Sequence, residues 1–270
     1  MTLDLHITLT YDMVVPTDIL LQVEAADIPE QRIERAHIEA SKCEHFVRVA
    51  ALDGIGERIW LRTNGRLTID YRAQMTVLRD LADVATLQQM PLHQLPGETV
   101  QYLFDSHYCP ATKFSSFADT EFAGLTGGAR IAAMRDWIAE HFTYQSGSSD
   151  GTTTALDSFV MRQGVCRDYA HVMIVLARAA SIPARFVSVY APDVTPQDFH
   201  AVAEVFLADP DGGGGSWHLI DPTGMATAAD MVKIGVGRDA LDVAFLTAFG
   251  EVTLVEQAVT VTRAPDIALA

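Results

Sequence analysis

Three residues of this chain have the types and spacing for covalent acyl chemistry: Cys166, His200 and Asp221, at intervals of 34 and 21 residues. Cys166 follows Gly164-Val165 and opens an amphipathic run in which Tyr169, Val172, Met173, Leu176 and Ala180 form an apolar stripe. That pattern places the cysteine at or near a helix N-terminus. The first turn there leaves backbone N–H groups unpaired and carries partial positive charge. Both favour thiolate, the nucleophilic form of cysteine. Cys43 and Cys109 lack such a setting and read as structural residues.

His200 opens an alternating run that continues to Leu207, and Asp221 closes a second run that begins at Trp217. The glycine-rich loop Ala208–Ser216 joins them, so the two runs read as a hairpin. Two registers are open. A tight turn on Asp209-Pro-Asp-Gly212 places Glu204 opposite Trp217 and His200 opposite Asp221, within hydrogen-bonding reach on one face. A turn centred on the whole loop places Asp221 opposite Ala203, on the face away from His200. A thiolate, a histidine that takes and returns a proton, and an acid that fixes the histidine tautomer together make a nucleophilic triad. Backbone N–H groups at the helix start, beginning with that of Cys166, would bind the oxyanion.

Four segments carry a family resemblance: Gly164-Val-Cys-Arg-Asp-Tyr-Ala-His171, Ile182-Pro-Ala-Arg-Phe-Val187, Asp198-Phe-His-Ala-Val-Ala-Glu204 and Trp217-His-Leu-Ile-Asp-Pro-Thr223. Joined in this order they resemble the transglutaminase-like superfamily, and more narrowly the bacterial transglutaminase-like enzymes and cysteine proteases that carry an N-terminal β-domain. The resemblance spans roughly residues 96 to 250. It implies a papain-like α+β core, with Cys166 on a helix packed on an antiparallel sheet that bears His200 and Asp221. It implies no cofactor, and a peptide or protein substrate attacked through a thioester. Hydrolysis of an amide or peptide bond is the expected outcome. True transamidation and a catalytically silent interaction module are the alternatives. The sequence departs from many members in placing Val202 and Ala203 where tryptophan often follows the histidine. It also identifies no upstream glutamine or tryptophan as side-chain oxyanion donor.

Around these motifs, residues 1 to about 75 read as strands. Leu3, Leu5, Ile7 and Leu9 alternate with polar residues. Asn64-Gly65 separates Arg58–Thr63 from Arg66–Arg72 and predicts a hairpin turn. The pattern suggests one sheet of a small all-β sandwich. Period-2 spacing stops near residue 76, and Pro91 and Pro96-Gly97 follow. The expected division is an N-terminal β-domain over 1–92 and a catalytic domain over 93–270. Helices are expected over Gly128–Phe142, from a threonine cap at 152–154 to Arg162, and from Cys166 to Ser181-Ile-Pro183. Strands are expected over 184–190, 200–207, 217–221, 252–255 and 259–262.

Other polar residues bear on the site. Asp168 and His171 lie three apart on the nucleophile helix, but no His-Glu-x-x-His spacing accompanies them, so no metal site is expected. Arg167 reads as a solvated helix residue, with contact to an anionic substrate group as the alternative. Glu204 shares the parity of His200 and either supports it or meets solvent. The polar loop 145–151 is a candidate cleft wall.

Composition narrows the partners. Hydrophobic residues make up 49% of the 270, ample for a core, and charged residues 20%. A formal net charge of −16 repels phosphate backbones and anionic lipid surfaces, so neither nucleic acid nor membrane is an expected partner. Three widely spaced cysteines predict free thiols in a reducing compartment. No basic, apolar leader opens the sequence and no run reaches a membrane span. The expected location is the cytoplasm.

Overall fold

Leu3 to Met13 keep strict alternation, and the chain answers with one long strand, β1 (Thr2–Leu21). The computed structural model describes residues 1–264. The first part continues with β2 (Gln31–Ala40), β3 (His45–Ala50) and β4 (Glu57–Val77). β1 and β4 pair antiparallel, from Thr2 opposite Thr76 to Leu21 opposite Ile59. Outside the bulge and the strand ends, odd-numbered side chains of both strands are buried, among them Leu3, Ile7, Ile19, Ile59, Tyr71 and Met75.

The Asn64-Gly65 hairpin expectation is corrected here. The chain runs straight through both residues within β4. Gly65 takes φ +79°, and the ladder slips beside it: Met13 faces Gly65 and Thr17 faces Thr63, leaving Val14, Val15 and Pro16 outside. A positive-φ glycine serves a bulge as readily as a turn, and sequence alone does not separate them. The reversal falls at Asp53-Gly54, both at positive φ, which join β3 to β4.

The second part contains helices α1 (Ser115–Glu121), α2 (Gly127–His141), α3 (Ala155–Met161) and α4 (Cys166–Ala179). A two-residue parallel bridge joins β5 (Thr143–Tyr144) to β6 (Gln163–Gly164). A second sheet follows, built from β7 (Ala184–Tyr190), β8 (His200–Ala208), β9 (Gly215–Ile220) and β10 (Val232–Gly237) in the order β10-β7-β8-β9, all antiparallel. The last strands, β11 (Leu246–Ala248) and β12 (Thr253–Arg263), return to the first sheet and pair with β1. From Thr253 on, β12 joins the two expected terminal strands into one, and a register slip leaves Val255, the end of the first, unpaired with β1.

The core sits between α4 and the second sheet. Val172, Met173 and Leu176 of α4 share one buried cluster with Ala184, Phe186, Ala203, Val205 and Ile220. Every α4 residue from Asp168 to Arg178 is buried, because α1, α2 and α3 also pack on this helix. The apolar face of the first sheet packs against Tyr190, Val232 and Ile234 of the second. The result is an α+β fold in which the helix that carries Cys166 packs on an antiparallel sheet beside an N-terminal β region.

Candidate active site

Cys166 is the first residue of α4, and local sequence fixes it there. Thr154 caps α3 through a reciprocal box with Asp157, whose carboxylate accepts the Thr154 N–H at 2.9 Å. Arg162 ends α3 at φ 56°, its guanidinium 4.1 Å from the Phe159 ring centre and 4.5 Å from that of Trp137. Extended Val165 then leads into α4. The Asp168 carboxylate reaches back to the Val165 N–H at 2.8 Å, and also accepts from Ser149 Oγ at 2.5 Å and Arg167 Nη2 at 3.2 Å. Arg167 donates further to the Asp150 carbonyl at 2.6 Å. Asp168 and Arg167 therefore tie the 145–151 loop to the start of α4. Arg167 is not the solvated helix residue expected from sequence.

His200 is the first residue of β8 and faces Val189 of β7 across the ladder. The segment that delivers it is held by β12. Gln197 exchanges side-chain bonds with the Val261 N–H and carbonyl, at 2.6 and 3.0 Å. Gln257 donates to Asp198 at 2.5 Å, and Phe199 stacks on Phe245 with ring centres 4.5 Å apart. Burial pushes the Asp198 carboxyl above its usual range.

The structure brings His200 and Asp221 together. His200 Nε2 lies 3.0 Å from Asp221 Oδ2, with both side chains buried. The same Asp221 oxygen accepts the Ala226 N–H at 2.9 Å, while Oδ1 accepts the Thr223 N–H and hydroxyl at 2.9 and 2.7 Å. Burial raises the Asp221 carboxyl, but the His200 and Thr223 hydrogen bonds reverse this and hold it below its ordinary range. Burial likewise pulls the imidazole down. The Asp221 hydrogen bond and the neighbouring Cys166 thiol outweigh it and carry His200 to about 9. His200 Nδ1 is buried and has no hydrogen-bond partner among the described residues. One ring nitrogen is thus committed to the acid, and the other is left free beside the thiol.

The hairpin register matches neither expectation. Ala203 faces Ile220 and Phe206 faces Trp217. This is two residues from the turn on Asp209–Gly212 and one from the loop-centred turn, a slip that the glycine run permits. Continued by one residue, it sets Asp221 across from Val202 and diagonal to His200, still on the same face. Glu204 is also corrected. It neither supports His200 nor meets solvent, but lies fully buried between Lys233 Nζ and Arg185, whose Nη2 is 2.7 Å away. Burial raises its carboxyl, and the two cations more than reverse this, to about 2. Lys233 also meets Glu30, and Arg185 Nη1 lies 2.9 Å from Asp53, so this ion cluster links the two sheets.

A second cysteine and histidine are neighbours: Cys109 Sγ lies 3.9 Å from the His171 carbonyl. Both residues are fully buried, and burial pushes the Cys109 thiol up to about 12 and holds the His171 imidazole well below its usual value. His171 Nε2 accepts the Ala240 N–H at 3.1 Å, and its ring stacks on Tyr108. This pair is packing, closed to substrate. One residue that sequence reading did not single out stands beside the start of α4. Tyr144 pairs with Gly164, two residues before Cys166, and burial, with a smaller push from Cys166, raises its phenol to about 12. No periodicity marks it, because it stands in a two-residue strand.

Comparison with known proteins agrees with this layout. The sequence model of the transglutaminase-like superfamily core matches residues 118–222, which include Cys166, His200 and Asp221. The crystal structure of a protein from Cytophaga hutchinsonii, described as a "Putative Cysteine Protease", superposes with a TM-score of 0.87 at 30% identity, covering 97% of this chain and 90% of that one. An uncharacterized protein of Mycobacterium leprae is 31% identical over 121 residues, 43% of this chain and 42% of its own length. One of Mycobacterium bovis is 34% identical over 126 residues, 42% of this chain and 40% of its own length. The match thus spans less than half of either mycobacterial protein. On the core match and the near full-length structural likeness together, the chain belongs to the transglutaminase-like superfamily.

Proposed function

We propose that this protein is a cysteine-dependent acyl-transfer enzyme that cleaves an amide or peptide bond through a thioester on Cys166. The observation that carries the reading is the buried His200–Asp221 pair, which leaves Nδ1 of the imidazole unpartnered beside a cysteine at a helix start. The Cys166 sulfur, having given its proton to His200, bonds to the substrate carbonyl carbon, and the carbonyl π pair moves to oxygen. The first-turn N–H groups of α4 stabilise that oxygen. Collapse of the intermediate breaks the C–N bond, and His200 gives its proton to the departing amine. Water then attacks the thioester, His200 takes its proton, and a carboxylic acid leaves. Asp221 keeps the imidazole in one tautomer and steadies its cationic form.

Hydrolysis is the favoured fate of the thioester. Water at tens of molar competes well with any millimolar amine for the thioester. The test uses a chromogenic acyl substrate with and without a labelled primary amine at millimolar concentration. The reading expects Cys166-dependent turnover with most acyl groups released as acid. Transfer of most acyl groups to the amine would make the protein a transamidase. Turnover unchanged in Cys166→Ala would remove the reading altogether.

A further inference from the structure

Asp198 stands two residues before His200, where the chain enters β8. Side chains alternate along an extended segment. Phe199 packs against the core of the first sheet and stacks on Phe245, which leaves Asp198 on the side of His200. The Cα atoms of Asp198 and His200 are at most about 7 Å apart. His200 is buried and Asp198 is exposed. The carboxylate therefore stands outside the imidazole, at the mouth of the site.

That carboxylate is fixed in place and only half used. Its Oδ1 accepts the Gln257 side-chain N–H at 2.5 Å and the Phe199 N–H at 2.7 Å. Gln197, next in the chain, is tied to both backbone polar groups of Val261. Among the described residues Oδ2 accepts no hydrogen bond, and no Arg, Lys or His forms an ion pair with Asp198. Arg263, on the same terminal strand as Gln257, is engaged by Asp193 and Asp230. Burial raises the Asp198 carboxyl although the residue keeps an exposed surface, so protein surrounds it on several sides and leaves one open. A rigid carboxylate in such a recess, with one free oxygen and no counterion, suits a guanidinium or ammonium group.

The chemistry says which part of a substrate would bring that group. His200 gives its proton to the departing amine, so the amine leaves on the imidazole's side of the scissile bond. Asp198 borders that side, and the net charge of −16 draws cations toward the protein. We propose that Asp198 is a specificity-determining residue that binds a cationic side chain on the leaving-amine side, so that the favoured substrates are peptides with arginine or lysine directly after the cleaved bond. The proposal rests on the acyl-transfer reading above.

The site that releases an amine also admits one, so the experiment runs that step in reverse. p-Nitrophenyl acetate acylates Cys166 with loss of p-nitrophenolate, and the acetyl-enzyme is offered argininamide or its uncharged isostere citrullinamide. The amine nitrogen bonds to the thioester carbon, the C–S bond breaks with its electron pair going to sulfur, and His200 takes the proton that nitrogen loses. Acetylated product is measured against acetate. The wild type is expected to capture argininamide about tenfold better than citrullinamide, the factor that one hydrogen bond to a charged group supplies. Raised salt should shrink that preference. Asp198→Asn should bring the ratio to about one, and Asp198→Glu, which keeps the charge, should retain a preference. The ratio is taken within each protein, so a change in acylation rate cancels. Equal capture of the two amides by the wild type, a preference indifferent to salt, or a preference kept by Asp198→Asn would overturn the assignment. A wild-type protein that never acylates would instead end the acyl-transfer reading, and this assignment with it.

Discussion

His200 and Asp221 meet at 3.0 Å although their strands do not pair them directly. The ladder between β8 and β9 stops at Ala203 and Ile220, and Asp221 begins a turn in which Thr223 and Ala226 hold its carboxylate. The contact therefore depends on the turn after β9 as much as on strand register. Replacing Asp221 with alanine would remove both the acid and the anchor of that turn, so asparagine is the cleaner probe.

Asp221→Asn is expected to lower turnover by about 10²–10⁴-fold while the protein stays folded. It should also change the pH dependence. His200 is held at about 9 partly by its hydrogen bond to the Asp221 carboxylate. Without the anion, imidazolium is less favoured and His200 titrates at lower pH. Rate loss on the alkaline side, where His200 no longer brings a proton to the leaving group, should begin at lower pH in the variant. A pH–rate profile with an unmoved alkaline limb would show that His200 does not set it.

The three thiols should differ sharply in reactivity. Cys109 is fully buried and its thiol is pushed up to about 12, so it should resist alkylation until the protein unfolds. Cys166 is partly exposed and adjoins His200. Limited treatment with iodoacetamide at mildly acidic pH, followed by peptide mapping, should find the label on Cys166 well before Cys43. Equal labelling of all three residues in the folded protein would contradict an activated nucleophile.

Much of the core layout was legible because its signals are local. Thr154 and Asp157 three residues apart make a capping box, and the helix expected from a threonine in 152–154 to Arg162 is α3. The apolar stripe after Cys166, closed by Ser181-Ile-Pro183, yields α4. What stayed hidden depended on contacts distant in sequence. Glu204 shares parity with His200, but only the packed fold sets Lys233 and Arg185 against it. Gly65 carries a positive φ inside a strand, which the sequence shares with a turn. The β8–β9 register was open because a run of four glycines imposes no turn position of its own. Tyr144 is set beside Gly164, two residues before Cys166, by a bridge too short to leave a pattern.

The Glu204 cluster predicts an acid-sensitive fold. Glu204 is held at about 2, below its ordinary 4.5. A lowered folded-state pKa contributes stability that is complete above about 4.5 and is lost as pH falls toward 2. Glu204→Gln removes the carboxylate from two buried cations and is expected to cost about 3–5 kcal/mol. Denaturant unfolding at pH 7 and at pH 3 should show the wild type losing more stability than the variant between the two. Equal losses would mean that this cluster does not drive acid unfolding.

The central claim, a thioester on Cys166, is tested most directly by intact-mass and peptide mass spectrometry after rapid acid quench of the protein with an activated acyl ester. The account predicts one acyl group per chain on the peptide that contains Cys166. It predicts none in Cys166→Ala, and a much slower appearance in His200→Ala. An acyl adduct on another residue, or equal acylation of the wild type and Cys166→Ala, would contradict it.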